Sequence, residues 1–187
     1  MALPNHSVHL ATERLVLRPF ADADFERAVP YYREPEFLRL MEHEAPDEPM
    51  TAADLRIAGE AMASQGYYFA IDHRASRRTI GEACLQWMNL ERGRIAGEKI
   101  VRCPIGIWDK ALWRQGLGKE AIRRMMRFAF DELAVDRFCA MDVERNNKRS
   151  RALWGACGLQ VVRTVDSGAV LDFEISRAGY SALAPSQ

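Results

Sequence analysis

Residues 107–133 constrain the fold more than any other stretch, because an extended run passes through a glycine-containing turn directly into an amphipathic helix. Ile122, Met126, Ala129 and Leu133 recur at helical spacing with Met125 and Phe130 beside them, while Arg123, Arg124, Arg127 and Asp131 take the opposite face. Glu120 stands one turn before Arg124, the spacing of an intrahelical ion pair. Upstream, three apolar runs at 67–72, 79–89 and 98–108 are joined by turns too short for crossovers, so they predict an antiparallel meander. Pro104 lies inside the third run and cannot donate to a ladder, so a bulge or a local parting of strands is expected there.

The remaining segments complete a mixed architecture. Residues 13–19 alternate as an opening strand that Pro19 ends, and Asp22 is placed to cap a helix reaching about residue 32. A short helical piece at 35–41 leads into an acidic loop at 42–49, and Thr51 caps a helix over 52–64 that Gly66 ends. A strand at 137–143 is followed by a helix at 147–157 that Gly158 ends. Strands at 159–165 and 170–176 then flank a turn at Asp166-Ser167-Gly168. The fold class is α/β (α+β): about seven mostly antiparallel strands and about four helices, forming one domain over residues 1–187.

Composition narrows the function. At 187 residues the chain can bury roughly two-thirds or more of its extended surface, so it needs no disulfide or metal staple. Lys plus Arg and Asp plus Glu number 26 each, a balance that argues against a dedicated nucleic-acid binder. Cys84, Cys103, Cys139 and Cys157 lie far apart in or beside apolar runs and read as core thiols, not as metal ligands or disulfide partners. No metal site is expected. Residues 1–10 carry no signal-peptide pattern and no apolar run is long enough to span a membrane, so a soluble, cytoplasmic protein is expected.

The turn itself carries chemistry. The first amides of a helix lack intrahelical acceptors and sit at the positive end of its dipole. Gly116 and Gly118 leave room for a phosphate to approach them, and Arg114 and Lys119 add cations beside the same spot. The plainer reading is a turn that uses glycine for its shape. A Walker A loop fails twice, because Glu120 follows Gly118-Lys119 and Trp113 stands where its first glycine belongs. The dinucleotide pattern fits Gly116, Gly118 and Ala121, but here it follows a meander and leaves only 66 residues for a doubly wound sheet.

A third phosphate loop, Q/R-x-x-G-x-G/A, fits Gly116 and Gly118 with Trp113 in its first position, and with it the chain resembles the GNAT (GCN5-related) N-acetyltransferases over nearly its whole length, including a branch in which Trp commonly holds that position. The similarity is greatest to the ribosomal-protein N-acetyltransferase branch. That branch often reads IGIGDxxYWGKGxGTEA, and this chain reads IGIWDKALWRQGLGKEA from Ile105 to Ala121. A second matching element is Asn147-x-x-Ser150 with Gly158-Leu159 downstream.

The resemblance implies an enzyme that moves the acetyl group of acetyl-CoA, the co-substrate, to a primary amine. Backbone amides of Arg114, Gln115, Gly116, Leu117, Gly118 and Lys119, behind Trp113, would hold the pyrophosphate. The splayed strand ending at Ile107 and Trp108 would pair with the pantetheine arm, and Asn147 would hydrogen-bond it or line the acetyl end. Ser150 or a water would protonate the leaving thiolate, because Trp154 occupies the position where many members carry an acidic Tyr, and an indole cannot supply that proton. Trp154 also keeps open the rival reading of a non-catalytic acyl-CoA-binding module.

No cysteine nucleophile is implied, so direct attack in a ternary complex is expected. At pH 7 an α-amine is neutral about one time in ten and a lysine amine about one in 2500, so an α-amine needs only a weak base. Glu82, Glu144 and Asp109 are the candidates. Glu42, His43, Glu44, Asp47 and Glu48 would wall the acceptor side and favour a cationic small amine or a protein N-terminus. Tyr67, Tyr68, Trp87 and Trp108 are available as aromatic walls. Nucleic acid and membrane are not expected as partners, and a homodimer fits the branch.

Overall fold

In a computed structural model that describes residues 3–41, 48–88 and 97–183, the meander is the centre of a mixed sheet. The chain enters through strands β1 (Leu10–Ala11) and β2 (Leu15–Pro19), then helices α1 (Asp22–Ala28), α2 (Pro35–Leu40) and α3 (Ala52–Ala63). Strands β3 (Gly66–His73), β4 (Arg78–Trp87), β5 (Ile100–Arg102) and β6 (Ile105–Ile107) follow, and helix α4 (Leu117–Arg127) continues into a π turn at Phe128–Glu132. Strand β7 (Arg137–Glu144), helix α5 (Lys148–Ala156), strands β8 (Gln160–Val165) and β9 (Val170–Ser176) and helix α6 (Arg177–Leu183) complete the order.

Among the described residues the sheet therefore has nine strands where about seven were expected, and six α-helices stand where about four were expected. One extra strand is the two-residue β1, too short to leave an alternating pattern in the sequence. The other arises because the run at 98–108 divides at Pro104. The strand order is β1-β2-β3-β4-β5-β7-β9-β8, with β6 pairing to β4, and among the described strands only β5 and β7 run parallel.

Division at Pro104 is the feature that makes a site. Residues 100–102 pair with β4 at Gln86 and Trp87 and with β7 at Arg137–Cys139, whereas residues 105–107 pair with β4 alone. The Pro104 carbonyl accepts from the Cys84 amide (3.0 Å), and the Trp108 amide donates to the Ile80 carbonyl (2.7 Å). Hydrogen-bonded positions alternate along an antiparallel ladder. The amides of Ile105 and Ile107 consequently point away from β4, into the gap between β6 and β7.

Two apolar layers sandwich the sheet. On one face Leu15, Leu17, Phe69, Ile71, Leu85 and Val101 pack against Ile122, Met125, Met126 and Ala129 of the long amphipathic helix. On the other, Tyr68, Ala70, Cys84 and Trp108 meet Phe20, Phe25 and Leu55 of the helical excursion α1–α3. Helix starts differ in detail from expectation. Asp22 is the first residue of α1, and it is Asp24, three residues after Ala21, whose carboxylate accepts from the Ala21 amide (3.0 Å). Gly66 begins β3, and Ser64 ends α3. Thr51 does cap α3, and Asn147 caps α5. Glu120 turns away from Arg124: it accepts from Thr12 and from the backbone and side chain of Arg14, tying α4 to the β1–β2 hairpin.

Candidate functional site

The gap opens into two cavities on either side of a shared wall. The larger, about 480 Å³, runs from Ile105 and Ile107 past Trp113, Arg114, Gly116 and Leu117 to Gly118 and Lys119. Asn147 and Ser150 close its α5 side. The smaller, about 280 Å³, lies over β4 and is lined by Tyr32, Tyr68, Glu82, Cys84, Gln86 and Arg102 among others. Both cavities touch Leu40, Met41, Ile105, Gly106, Ser150 and Trp154, so these residues form the junction.

The loop at the larger cavity is held by its own bonds. Gly116 caps α4 with φ +79°, a left-handed conformation that favours glycine, and Arg114 also has positive φ (63°). Trp113 Nε1 donates to the Ile107 carbonyl (2.7 Å), and the Arg149 guanidinium lies 4.6 Å from the Trp113 ring centre. A Cβ added at Gly118 would meet only Leu153 and Ile107 side chains, the nearest at 3.5 Å. Gly118 thus lines the larger cavity beside the first-turn amides of α4.

Eight of the ten positions expected at this end line the larger cavity: Ile107, Trp113, Arg114, Gly116, Leu117, Gly118, Lys119 and Asn147. Trp108 is placed elsewhere. It is 1% exposed, packed in the core with Phe20 and stacked on Tyr31. Gln115 folds back, its Nε2 donating to the Ala111 carbonyl (2.8 Å). The Asn147 side chain is already engaged, accepting from the Ser150 amide and donating to the Leu40 carbonyl (both 3.1 Å). Its role in the fold is to join α5 to α2 at the cavity rim.

Of the candidate acid and base residues, Ser150 and Glu82 reach the cavities. Ser150 Oγ accepts from Trp154 Nε1 (3.0 Å), which leaves its own proton available toward the junction. Glu82 is buried, and its two carboxylate oxygens accept the phenolic O–H groups of Tyr32 and Tyr68. Burial and then the neighbouring Glu82 charge push both tyrosines far above the ordinary phenol range, so both remain protonated donors. Glu144 lines neither cavity; its carbonyl accepts the Asn147 amide (3.0 Å). Asp109 caps a short 3₁₀ turn through the Ala111 amide (3.0 Å).

Among the expected acceptor-side residues, Glu42, His43, Glu44 and Asp47 lie outside the described residues, and Glu48 is exposed and lines neither cavity. Of the aromatic candidates only Tyr68 reaches the smaller cavity, while Trp87 is exposed and Tyr67 packs on the opposite face of the sheet. Tyr32, Arg102 and Arg149 were not singled out by sequence. The alternation Glu82-Cys84-Gln86 puts three polar or polarisable side chains on one face of β4, and it is the signal that leads to Arg102 through the Gln86–Arg102 pairing. Among the described residues no group of His, Cys, Asp and Glu could hold a metal ion, and no helix is long and apolar enough to cross a membrane.

A parted strand beside a helix-capping glycine loop defines a recognisable class, and the comparisons agree with it. The chain belongs to the acetyltransferase (GNAT) domain family, whose model matches residues 14–160. Solved structures share the fold at low identity. A protein assigned as a ribosomal-protein-serine acetyltransferase from Vibrio cholerae is 22% identical with a TM-score of 0.67, covering 94% of this chain and 99% of that one. Spermidine N-acetyltransferase from Vibrio cholerae, solved with CoA and spermine, is 15% identical with a TM-score of 0.73, covering 91% and 99%. The aminoglycoside acetyltransferase AAC(6')-Ib, solved with coenzyme A, is 15% identical with a TM-score of 0.74, also covering 91% and 99%. No curated protein matches the chain.

Proposed function

We propose that this protein transfers the acetyl group of acetyl-CoA to a primary amine. The observation that carries the reading is the junction: a cavity ending on the helix-capping loop and a cavity ending on a buried carboxylate meet at Ile105, Gly106, Ser150 and Trp154. The α4 amides with Arg114, Lys119 and Arg149 suit a pyrophosphate, and the inward amides of Ile105 and Ile107 suit an extended amide-bearing arm and the thioester carbonyl.

In the smaller cavity Glu82 attracts the acceptor's ammonium and takes its proton, directly or through one water. The freed amine attacks the thioester carbon; a C–N bond forms, the C–S bond breaks, the thiolate receives a proton from Ser150, the proton that the new amide nitrogen sheds returns to the Ser150 oxygen, and Glu82 passes its own proton to solvent. Trp154 does not act as the acid. It donates to the Ser150 oxygen and so aims the hydroxyl proton into the junction, and that bond polarises the O–H. A buried carboxylate held by two phenols and opening into the acceptor side favours an enzyme over a passive CoA-binding module.

A thiol-release assay over a panel of amines tests the reading. With a working acceptor, Glu82→Gln should lower kcat by about 10²–10⁴-fold while leaving CoA affinity within twofold, because the amide oxygen still accepts one phenol and its NH2 donates to the oxygen of the other. Wild-type turnover in that variant removes Glu82 as the base, and failure to bind CoA removes the reading altogether.

A further inference from the structure

Building on the acetyl-transfer reading, we propose that the acceptor is an amino-carboxylate, with its amine at Glu82 and its carboxylate on the guanidinium of Arg102. Both residues line the smaller cavity. Glu82, Cys84 and Gln86 alternate along β4 and share one face of the sheet, and Arg102 stands directly opposite Gln86 in the β4–β5 pairing. The carboxylate and the guanidinium therefore rise from the same face at opposite ends of one cavity. The Cys84 thiol lies between them: burial raises its pKa most, Glu82 raises it further, and Arg102 pulls it the other way.

What sets Arg102 apart is its partner. The other arginines drawn onto the sheet each meet a carboxylate: Arg18 meets Asp24 at 2.6 Å, Arg137 meets Glu174 at 2.6 Å, and Arg163 meets Asp172 at 2.8 Å. Arg102 instead donates from Nε to the neutral Oε1 of Gln86 (2.6 Å), and Gln86 in turn donates to Gln65 (3.3 Å). Among the described residues neither Nη nitrogen has a hydrogen-bond partner. A half-buried cation that meets no carboxylate is costly, and among the described residues the amide relay fixes the guanidinium through Nε and leaves the Nη edge unbonded. That edge is the fork that takes a carboxylate in two parallel bonds. A polycation entering this cavity would be attracted by Glu82 and repelled by Arg102, whereas an amino-carboxylate satisfies both.

The test compares matched acceptors in the thiol-release assay: neutral amino acids, a dipeptide and an ω-amino acid, each beside its own carboxamide, with spermidine and an aminoglycoside as polycations. A free carboxylate makes the neighbouring amine harder to deprotonate, so chemistry alone favours the carboxamides. The proposal expects the carboxylate member to win in at least one pair by about 10- to 100-fold in kcat/KM. Arg102→Met should erase that preference by raising KM for the carboxylate with kcat nearly unchanged. The same variant should bind CoA and melt as the unaltered protein does, which reports correct folding, and Arg102→Lys should restore part of the preference. Turnover of polycations or carboxamides with no carboxylate preference overturns the proposal and spares acetyl transfer. If CoA binds but nothing turns over, titration calorimetry of the carboxylate panel onto the CoA-loaded protein decides: binding lost in Arg102→Met supports the proposal, and no binding overturns it. A protein that binds no CoA overturns both.

Discussion

Gly118 separates the demands of the fold from those of a ligand. It occupies the second position of α4, its φ is not left-handed, and an added methyl would make only ordinary contact with Leu153. Gly116 is different, since any side chain there strains a backbone at φ +79° whether or not a ligand comes near. Gly118→Ala should therefore leave thermal stability unchanged or slightly higher while weakening CoA binding about tenfold or more, because the methyl intrudes beside the first-turn amides. Calorimetry and a thermal melt on the same sample check both halves, and unchanged affinity would move the phosphate away from this loop. Serine 150 and glutamate 82 show how far single residues were legible. The sequence singled out both, and both line the cavities, but their partners were not legible, because Tyr32 lies fifty residues from Glu82 in the turn after α1.

Helix α1 is short, and its hold on the sheet runs through Asp24. That fully buried carboxylate accepts from Arg18 (2.6 and 2.8 Å), Arg27 (2.5 Å) and the Ala21 amide. Burial alone would raise its pKa, but the Arg18 bonds, the amide and Arg27 together hold it below the usual carboxylate range. A pKa depressed in the folded state means that its stabilisation is complete above pH ~4, the unfolded value, and is lost as pH falls through the lower folded value. Asp24→Asn should cost about 2–3 kcal/mol at pH 7, less than a fully buried pair because Arg18 and Arg27 are partly solvated. Denaturant unfolding from pH 7 to pH 2 should show the gap between wild type and variant closing below pH ~4; a constant gap would assign the effect to packing. Elements were legible where one periodicity dominated, as in β3, β4 and α4. They were misread where tertiary partners decided: Glu120 matched Arg124 in spacing, yet it serves the β1–β2 hairpin, and Asp22 stood at the expected cap, yet Asp24 does the binding.

At the scale of the whole molecule, equal numbers of acidic and basic residues conceal an uneven distribution. Arg114, Lys119 and Arg149 surround the larger cavity, where no Asp or Glu is among the described lining residues, while the smaller cavity holds one carboxylate and one guanidinium. The parting at Pro104 has a consequence for how the sheet breathes. Gly106 and Trp108 face the β4 ladder, whereas Ile105 and Ile107 turn their amides to the gap. Amide hydrogen exchange followed by NMR should thus alternate along four consecutive residues, with 105 and 107 exchanging at least tenfold faster than 106 and 108 in the free protein. CoA should slow the fast pair and leave the slow pair nearly as it was, and uniform protection along the four would mean that the strand is not parted in solution. The ligand would then act as a missing rung, so that each turnover cycle alternately completes and reopens the sheet.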